Sequence, residues 1–252
     1  MVHELANSLR REWRERTPEQ TLLYLAGGGL FVAGLFHLGV FLVDGGPWAG
    51  SVSWRKPATF GLSFGLTTAT LGWVLGVICP PRRAARLLAV AIAIPALYEV
   101  AWVSVQRWRG VPSHFATGGL DEALFALAGF AIAIMATAVV TFAILSFGDL
   151  PVPPSMRTAI RVGLLLLVAG QGLGGAIIAN AEAVDLAAAP SALALVSRLK
   201  IPHAIALHAI QVLPFLAWML AIAPRTERER LRVVRAASTG YAGLLVVTAL
   251  QA

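Results

Sequence analysis

The sequence predicts an all-α, polytopic membrane helix bundle of about seven transmembrane helices. Three observations predict it. Of 252 residues, 58% are hydrophobic and only 13% charged, whereas a soluble domain carries about 25% charged residues. Apolar runs of about 20 residues, the length that crosses hydrocarbon at 1.5 Å rise per residue, recur seven times. The basic residues collect between these runs and alternate in density from one connection to the next.

The spans are Thr21–Val43, Pro57–Cys79, Leu87–Gln106, Glu122–Phe147, Ala159–Asn180, Pro202–Ala223 and Val234–Gln251. The first follows a polar stretch and is too long for a signal-peptide core, so it reads as a span rather than a cleaved leader. Pro57 and Pro202 suit first-turn helix positions, where no backbone bond is lost. Pro95 and Pro214 fall inside spans three and six, where proline kinks a helix. The seventh span is the most polar, with Arg235, Ser238 and Thr239 in its first turns. Residues 1–20 form a separate N-terminal segment, an amphipathic surface helix with Leu5, Leu9 and Trp13 at i, i+4 and i+8. Residues 21–252 form one transmembrane domain, and the mixed charge run Glu227–Arg235 reads as a solvated loop.

One set of connections carries fourteen Arg and Lys residues and the other six. The positive-inside rule puts the richer set, and the N-terminus, in the cytoplasm and the C-terminus outside. Alanine-, arginine- and glycine-rich composition fits a bacterial inner, or cytoplasmic, membrane. The formal charge of +7 sits between apolar runs rather than on a patch among aromatics, which points to the lipid bilayer and away from nucleic acid. A single cysteine, Cys79, excludes an intrachain disulfide and cysteine-ligated zinc or iron–sulfur centres.

Polar residues inside a membrane are expensive and usually face the bundle interior. Counted at 1.5 Å per residue, His37, Ser63 and His208 lie about 9 Å below the outer ends of their spans, Glu99 about 10 Å, and Gln171 and Gln211 about 13 Å. Five helices thus offer a polar side chain at one depth in the outer half. Glu99 is the sharpest of them: a lone carboxylate in hydrocarbon is neutral or paired, with His37, His208 or Lys56 as partners. His208 and Gln211 share a helix face, whereas His203 lies about 140° from His208 around the axis. Span two carries a polar stripe of Thr59, Ser63, Thr67 and Thr70, read as interhelical glue or, alternatively, as the lining of a cavity running inward. Glycines cluster in span one (Gly27, Gly28, Gly29, Gly34, Gly39) and span five (Gly170, Gly172, Gly174, Gly175), where close helix packing is the first explanation and close approach of a flat cofactor the second.

The outer loops are heavily decorated. Asp44–Trp48 leads into Trp54-Arg55-Lys56-Pro57, Arg107-Trp-Arg109 into His114, and Asp121-Glu122 follow. Tryptophan here fits an interfacial belt, and the basic residues pair with outer carboxylates such as Glu182 and Asp185, bind lipid phosphates or hold an anionic ligand. The segments WRKPATF (Trp54–Phe60), RGVPSHF (Arg109–Phe115) and PHAIALHAIQVLP (Pro202–Pro214) resemble ones in an uncharacterised family of bacterial multi-spanning membrane proteins. That resemblance implies an architecture and no activity.

Four functional readings follow. In a haem b oxidoreductase, His37 and His208 are axial ligands, Arg55, Lys56, Arg107 and Arg109 hold the propionates, and Glu99 and Gln211 serve a quinone or proton path. In a metal-dependent enzyme, His37, Glu99, His114, His203 and His208 supply ligands for zinc or iron. In a small-molecule or proton-coupled transporter, Glu99 is the coupling acid. In a structural membrane subunit the polar layer is only glue.

Overall fold

The computed structural model describes residue 13 and residues 15–115, 118–183 and 198–251, with backbone alone for residues 181–183. Leu5 and Leu9 of the amphipathic segment, and the Glu182 and Asp185 side chains, lie outside the described residues. Those residues contain α-helices and no strands, in the order α1 (Pro18–Asp44), α2 (Arg55–Ile78), α3 (Arg82–Trp108), α4 (Gly119–Leu145), α5 (Pro154–Ala183), α6 (Lys200–Ile222) and α7 (Glu227–Leu250). Among the described residues, seven helices are long and apolar enough to cross a membrane, the architecture of a multi-pass membrane protein.

Every helix begins earlier in the chain than its apolar run. At α1, Thr17 Oγ1 accepts the Gln20 N–H at 3.2 Å while Gln20 Oε1 accepts the Thr17 N–H at 3.0 Å. Pro18 then takes the first helical position, where its missing N–H costs nothing. The same reciprocal cap starts α7, between Thr226 and Glu229. The charge run expected to be a solvated loop is therefore the first two turns of α7. Its Glu and Arg residues are good helix formers, and the cap satisfies orphan N–H groups that hydrocarbon would not. Helices α3 and α6 continue through Pro95 and Pro214.

The chain divides into two compact units, Met1–Ala138 and Val139–Ala252, with the boundary inside α4. In the first, α1 and α2 form the most extensive helix pair, and glycine makes it possible. A Cβ on Gly65 would sit 2.5 Å from Phe31 N and 2.7 Å from Gly27 O, and one on Gly61 2.6 Å from Gly34 N. Only backbone without Cβ allows that approach. Leu30 of α1 then meets Ala96 and Val100 of α3, and Trp102 and Val103 of α3 pack with Ala128 of α4. In the second unit α5 meets α6 through Gly163 and Gly170, which abut the backbone at Ile210 and Leu207. Val234 of α7 closes a core with Ala159, Leu213 and Ala217. The glycine clusters are thus only partly packing devices: Gly27, Gly34, Gly170 and Gly174 are close to neighbours, whereas Gly28, Gly29, Gly39, Gly172 and Gly175 face open space.

Candidate functional site

Five of the buried polar residues of the first unit, His37, Ser53, Glu99, Gln106 and Ser113, lie toward the end where α1 and α3 finish and α2 and α4 begin, whereas Glu19 and Gln20 start α1 and Thr68 lies midway along α2. Their organising element is the segment after α3. Gly110, at φ 71°, turns the chain back. Pro112 and Ser113 then run down along α3 instead of out over the surface. The Trp102 indole N–H donates to Ser113 O at 2.7 Å, and Gln106 Nε2 donates to Pro112 O at 3.4 Å. Non-helical backbone at membrane depth needs such partners, because no water is there to supply them. Gln106, fully buried, also accepts from Arg109 Nη1 at 2.6 Å. Arg109 is held in turn by Asp121 at 2.6 Å; the hydrogen bond to that carboxylate raises the guanidinium above its ordinary pKa.

The folded-back segment delivers His114 to Glu99. Glu99 lies nine residues before the end of α3, about 13 Å along the helix, and is 4% exposed. His114 Nε2 stands 3.5 Å from Glu99 Oε1. The second oxygen, Oε2, is the one buried carboxylate oxygen without a hydrogen-bond partner among the described residues. Ser113 Oγ lies 2.9 Å from His114 Nδ1, and Lys56 Nζ, from the first turn of α2, donates to Ser113 Oγ at 3.2 Å. The chain Lys56–Ser113–His114–Glu99 thus joins α2, the returning loop and α3. Phe60, Phe115 and Phe125 surround the His114 ring, with centroids 5.6–6.2 Å away, and supply a low-dielectric wall. Tyr98, next to Glu99 on α3, is committed to Leu124 O at 2.9 Å. Serine, histidine and acid in series have the connectivity of a nucleophile relay. Ser113 is only 2% exposed, however, so its hydroxyl is not presented to a substrate.

His37 forms a separate cluster nearby. Its Nδ1 is 2.8 Å from Ala33 O, and its Nε2 accepts the Trp108 indole N–H at 3.3 Å. The carbonyl requires a proton on Nδ1, which leaves Nε2 as the acceptor. Both ring nitrogens are engaged, so an axial-ligand role would first require Trp108 to leave. Trp54 stacks at 6.1 Å from the same ring and donates to Asp44 at 2.7 Å. Arg107 lies over Trp54 at 3.9 Å and pairs with Asp44 at 3.9 Å; Arg55 Nε donates to Trp48 O. Arg107 and Arg109 are therefore matched by carboxylates of this chain, the first of the three roles considered for the loop cations.

The second unit holds His203, His208, Gln171 and Gln211. His203 Nδ1 is 2.7 Å from Gly170 O, across the α5–α6 contact. The described residues contain no group of three or more His, Cys, Asp or Glu side chains that could hold a metal ion. Equal depth did not give Glu99 and His37 common partners: each is engaged by its own surroundings in the first unit, while His208 belongs to the second. In the α2 stripe, Thr59 and Thr70 donate to carbonyls of their own helix.

Sequence reasoning named Lys56 as a partner of Glu99 and His114 as a ligand, but treated Arg109–Phe115 as a surface loop and did not single out Ser113. A signal was present: Glu99, Trp102 and Gln106 fall at i, i+3 and i+7, one face of α3 with hydrogen-bonding capacity throughout.

No family model, curated protein or solved structure matches this chain. The three segments singled out in the sequence carry weight only through what their residues do here. WRKPATF supplies Trp54, Lys56 and Phe60, and RGVPSHF supplies the returning loop.

Proposed function

We propose that this chain is a multi-pass protein of a bacterial cytoplasmic membrane that handles protons at Glu99, as the coupling site of a proton-linked transporter. The observation that carries the reading is the Glu99 carboxylate: buried at membrane depth, paired through one oxygen to His114 and unpartnered at the other. An acid in that position is a functional group by default. A proton suits it better than a larger cation, because a proton needs no coordination shell and the adjoining Lys56 would repel a metal ion. The haem and metal readings have no geometric support, since His37 has both ring nitrogens occupied. In the orientation that the fourteen-to-six distribution of basic residues favours, the site opens toward the exterior and the N-terminus lies in the cytoplasm.

The test is acid-induced difference infrared spectroscopy on the protein in lipid, followed by proton uptake into proteoliposomes under an imposed potential. The wild-type chain should show a carboxyl stretching band that Glu99→Gln lacks. Proton uptake should fall about 100-fold in the variant, the scale on which a positioned proton-transfer group acts, at matched thermal stability. A band that survives the substitution, or uptake untouched by it, sinks the proposal.

A further inference from the structure

Resting on the assignment of Glu99 as a proton site, we infer that Lys56, Ser113 and His114 form a directed proton relay through which Glu99 exchanges with water at the Lys56 end. The polarity of the chain follows from its first member. A lysine ammonium has donors and no acceptor, so Ser113 Oγ accepts from Lys56 Nζ at 3.2 Å. Ser113 therefore turns its own proton toward His114 Nδ1 at 2.9 Å. With Nδ1 accepting, a neutral imidazole carries its proton on Nε2, the nitrogen 3.5 Å from Glu99 Oε1. Every group donates in the same sense, toward the carboxylate.

The transfer balances. The Lys56 N–H bond breaks as a proton joins Ser113 Oγ. The original Ser113 proton passes to His114 Nδ1, and the Nε2 proton passes to Glu99 Oε1. The products are a neutral amine, an intact hydroxyl, an imidazole with its proton moved to Nδ1, and a carboxylic acid. Water reprotonates Lys56, which is only partly buried; for the return, Lys56 first gives a proton to water and the same hops then run in reverse, from Glu99 to the neutral amine. Other polar groups on the packed elements are spent elsewhere. Tyr98 donates to Leu124 O, Trp102 to Ser113 O, and Arg109 to Asp121 and Gln106. Asp44 is engaged by Trp54 and Arg107. Ser113 is the weak link: a buried hydroxyl that rotates to pass a proton and has no substitute within reach among these partners.

The experiment is a rapid pH jump on the full chain in lipid, reading the rate and the amplitude of the Glu99 carboxyl band. Ser113→Ala should slow the band's appearance about 100-fold with its final amplitude unchanged. Ser113→Thr, which keeps a hydroxyl, should restore most of the rate. Lys56→Met, which keeps the stem and removes the ammonium, should slow it as Ser113→Ala does and guards against one variant that fails to fold. Wild-type rates in both Ser113→Ala and Lys56→Met would overturn the relay while leaving Glu99 as the proton site. A reduced amplitude at an unchanged rate would also overturn it, as the mark of a merely structural serine. A band that persists in Glu99→Gln removes the proton site itself.

Discussion

Replacing Gly65 by alanine tests the packing that brings α1 against α2. An added Cβ would stand 2.5 Å from Phe31 N, 2.7 Å from Gly27 O and 2.8 Å from Phe31 Cα, all backbone atoms that no rotamer change can move. Ordinary contact starts at 3.4 Å, so the helices must part locally by about 0.9 Å. A gap of that size forfeits a quarter to a half of the dispersion attraction of the atoms it separates. Forcing a methylene into a packed site costs about 1–3 kcal/mol. In lipid or detergent the separated helices remain helical, so alanine's propensity advantage largely cancels between the two states. The expected loss is about 2 kcal/mol, and Gly29→Ala is the internal control: it is a glycine of the same helix pair whose Cβ meets nothing within 4 Å. That control should change stability by no more than about 0.5 kcal/mol. Reversible unfolding from mild detergent into dodecyl sulfate, followed by circular dichroism and tryptophan emission, measures both. Equal effects of the two substitutions would refute the close-packing argument.

Two further substitutions probe other local devices. Trp102→Phe keeps an aromatic ring, though a smaller one, and strands the buried Ser113 carbonyl, a loss of about 1–3 kcal/mol. It should release the loop so that a cysteine placed at position 114 becomes accessible to a polar maleimide; continued protection at 114 would mean that something else holds the loop. Arg161 donates to the carbonyls of Ser146, Phe147 and Gly148, in the turn just past the end of α4, at 2.8, 3.3 and 3.0 Å, which places a cation at the helix C-terminus and ties down the turn that ends it. Arg161→Ala should lower the unfolding free energy by about 1–2 kcal/mol and Arg161→Lys by more than half as much, because an ammonium cannot span three carbonyls; a lysine variant as stable as wild type in the same titration would contradict the multi-carbonyl cap.

The helices were legible because lipid makes the sequence signal coarse: a run of about 20 apolar residues has few alternatives to a spanning helix. Their starts were not, because Thr17–Gln20 and Thr226–Glu229 lie in polar stretches where hydropathy is silent and capping chemistry decides. The site was half legible. Glu99 announces itself as a carboxylate inside an apolar run, and His37 by the same logic. Depth along the helices could not identify partners, because it fixes one coordinate and leaves rotation and loop path free. His114 is the clearest case. By chain position it belongs to a connection, yet Trp102 and Gln106 draw that connection back until its histidine meets a residue nine positions below the end of α3. Those two bonds join residues eleven and six apart through side chains, and such pairings leave no periodic trace.

The polar face of α3 also argues that Glu99 does more than hold helices together. Trp102 and Gln106 show what structural polar residues look like in this fold. The indole N–H meets a carbonyl, and the amide of Gln106 is satisfied at both ends, by Pro112 O and by Arg109. Glu99 continues the same face but breaks the pattern, with one oxygen at His114 and the other buried and idle. A buried acceptor without a partner costs about 1–3 kcal/mol, more if charged. If pinning the loop were the purpose, a glutamine at 99 could accept from His114 Nε2 without burying a carboxylate. That cost, borne where a serine, a histidine and a lysine line up on the other oxygen, is what the proposed proton site would explain. A stabilising Glu99→Gln combined with lost proton uptake would express that trade directly, whereas a destabilised variant with uptake intact would return Glu99 to the structural residues beside it.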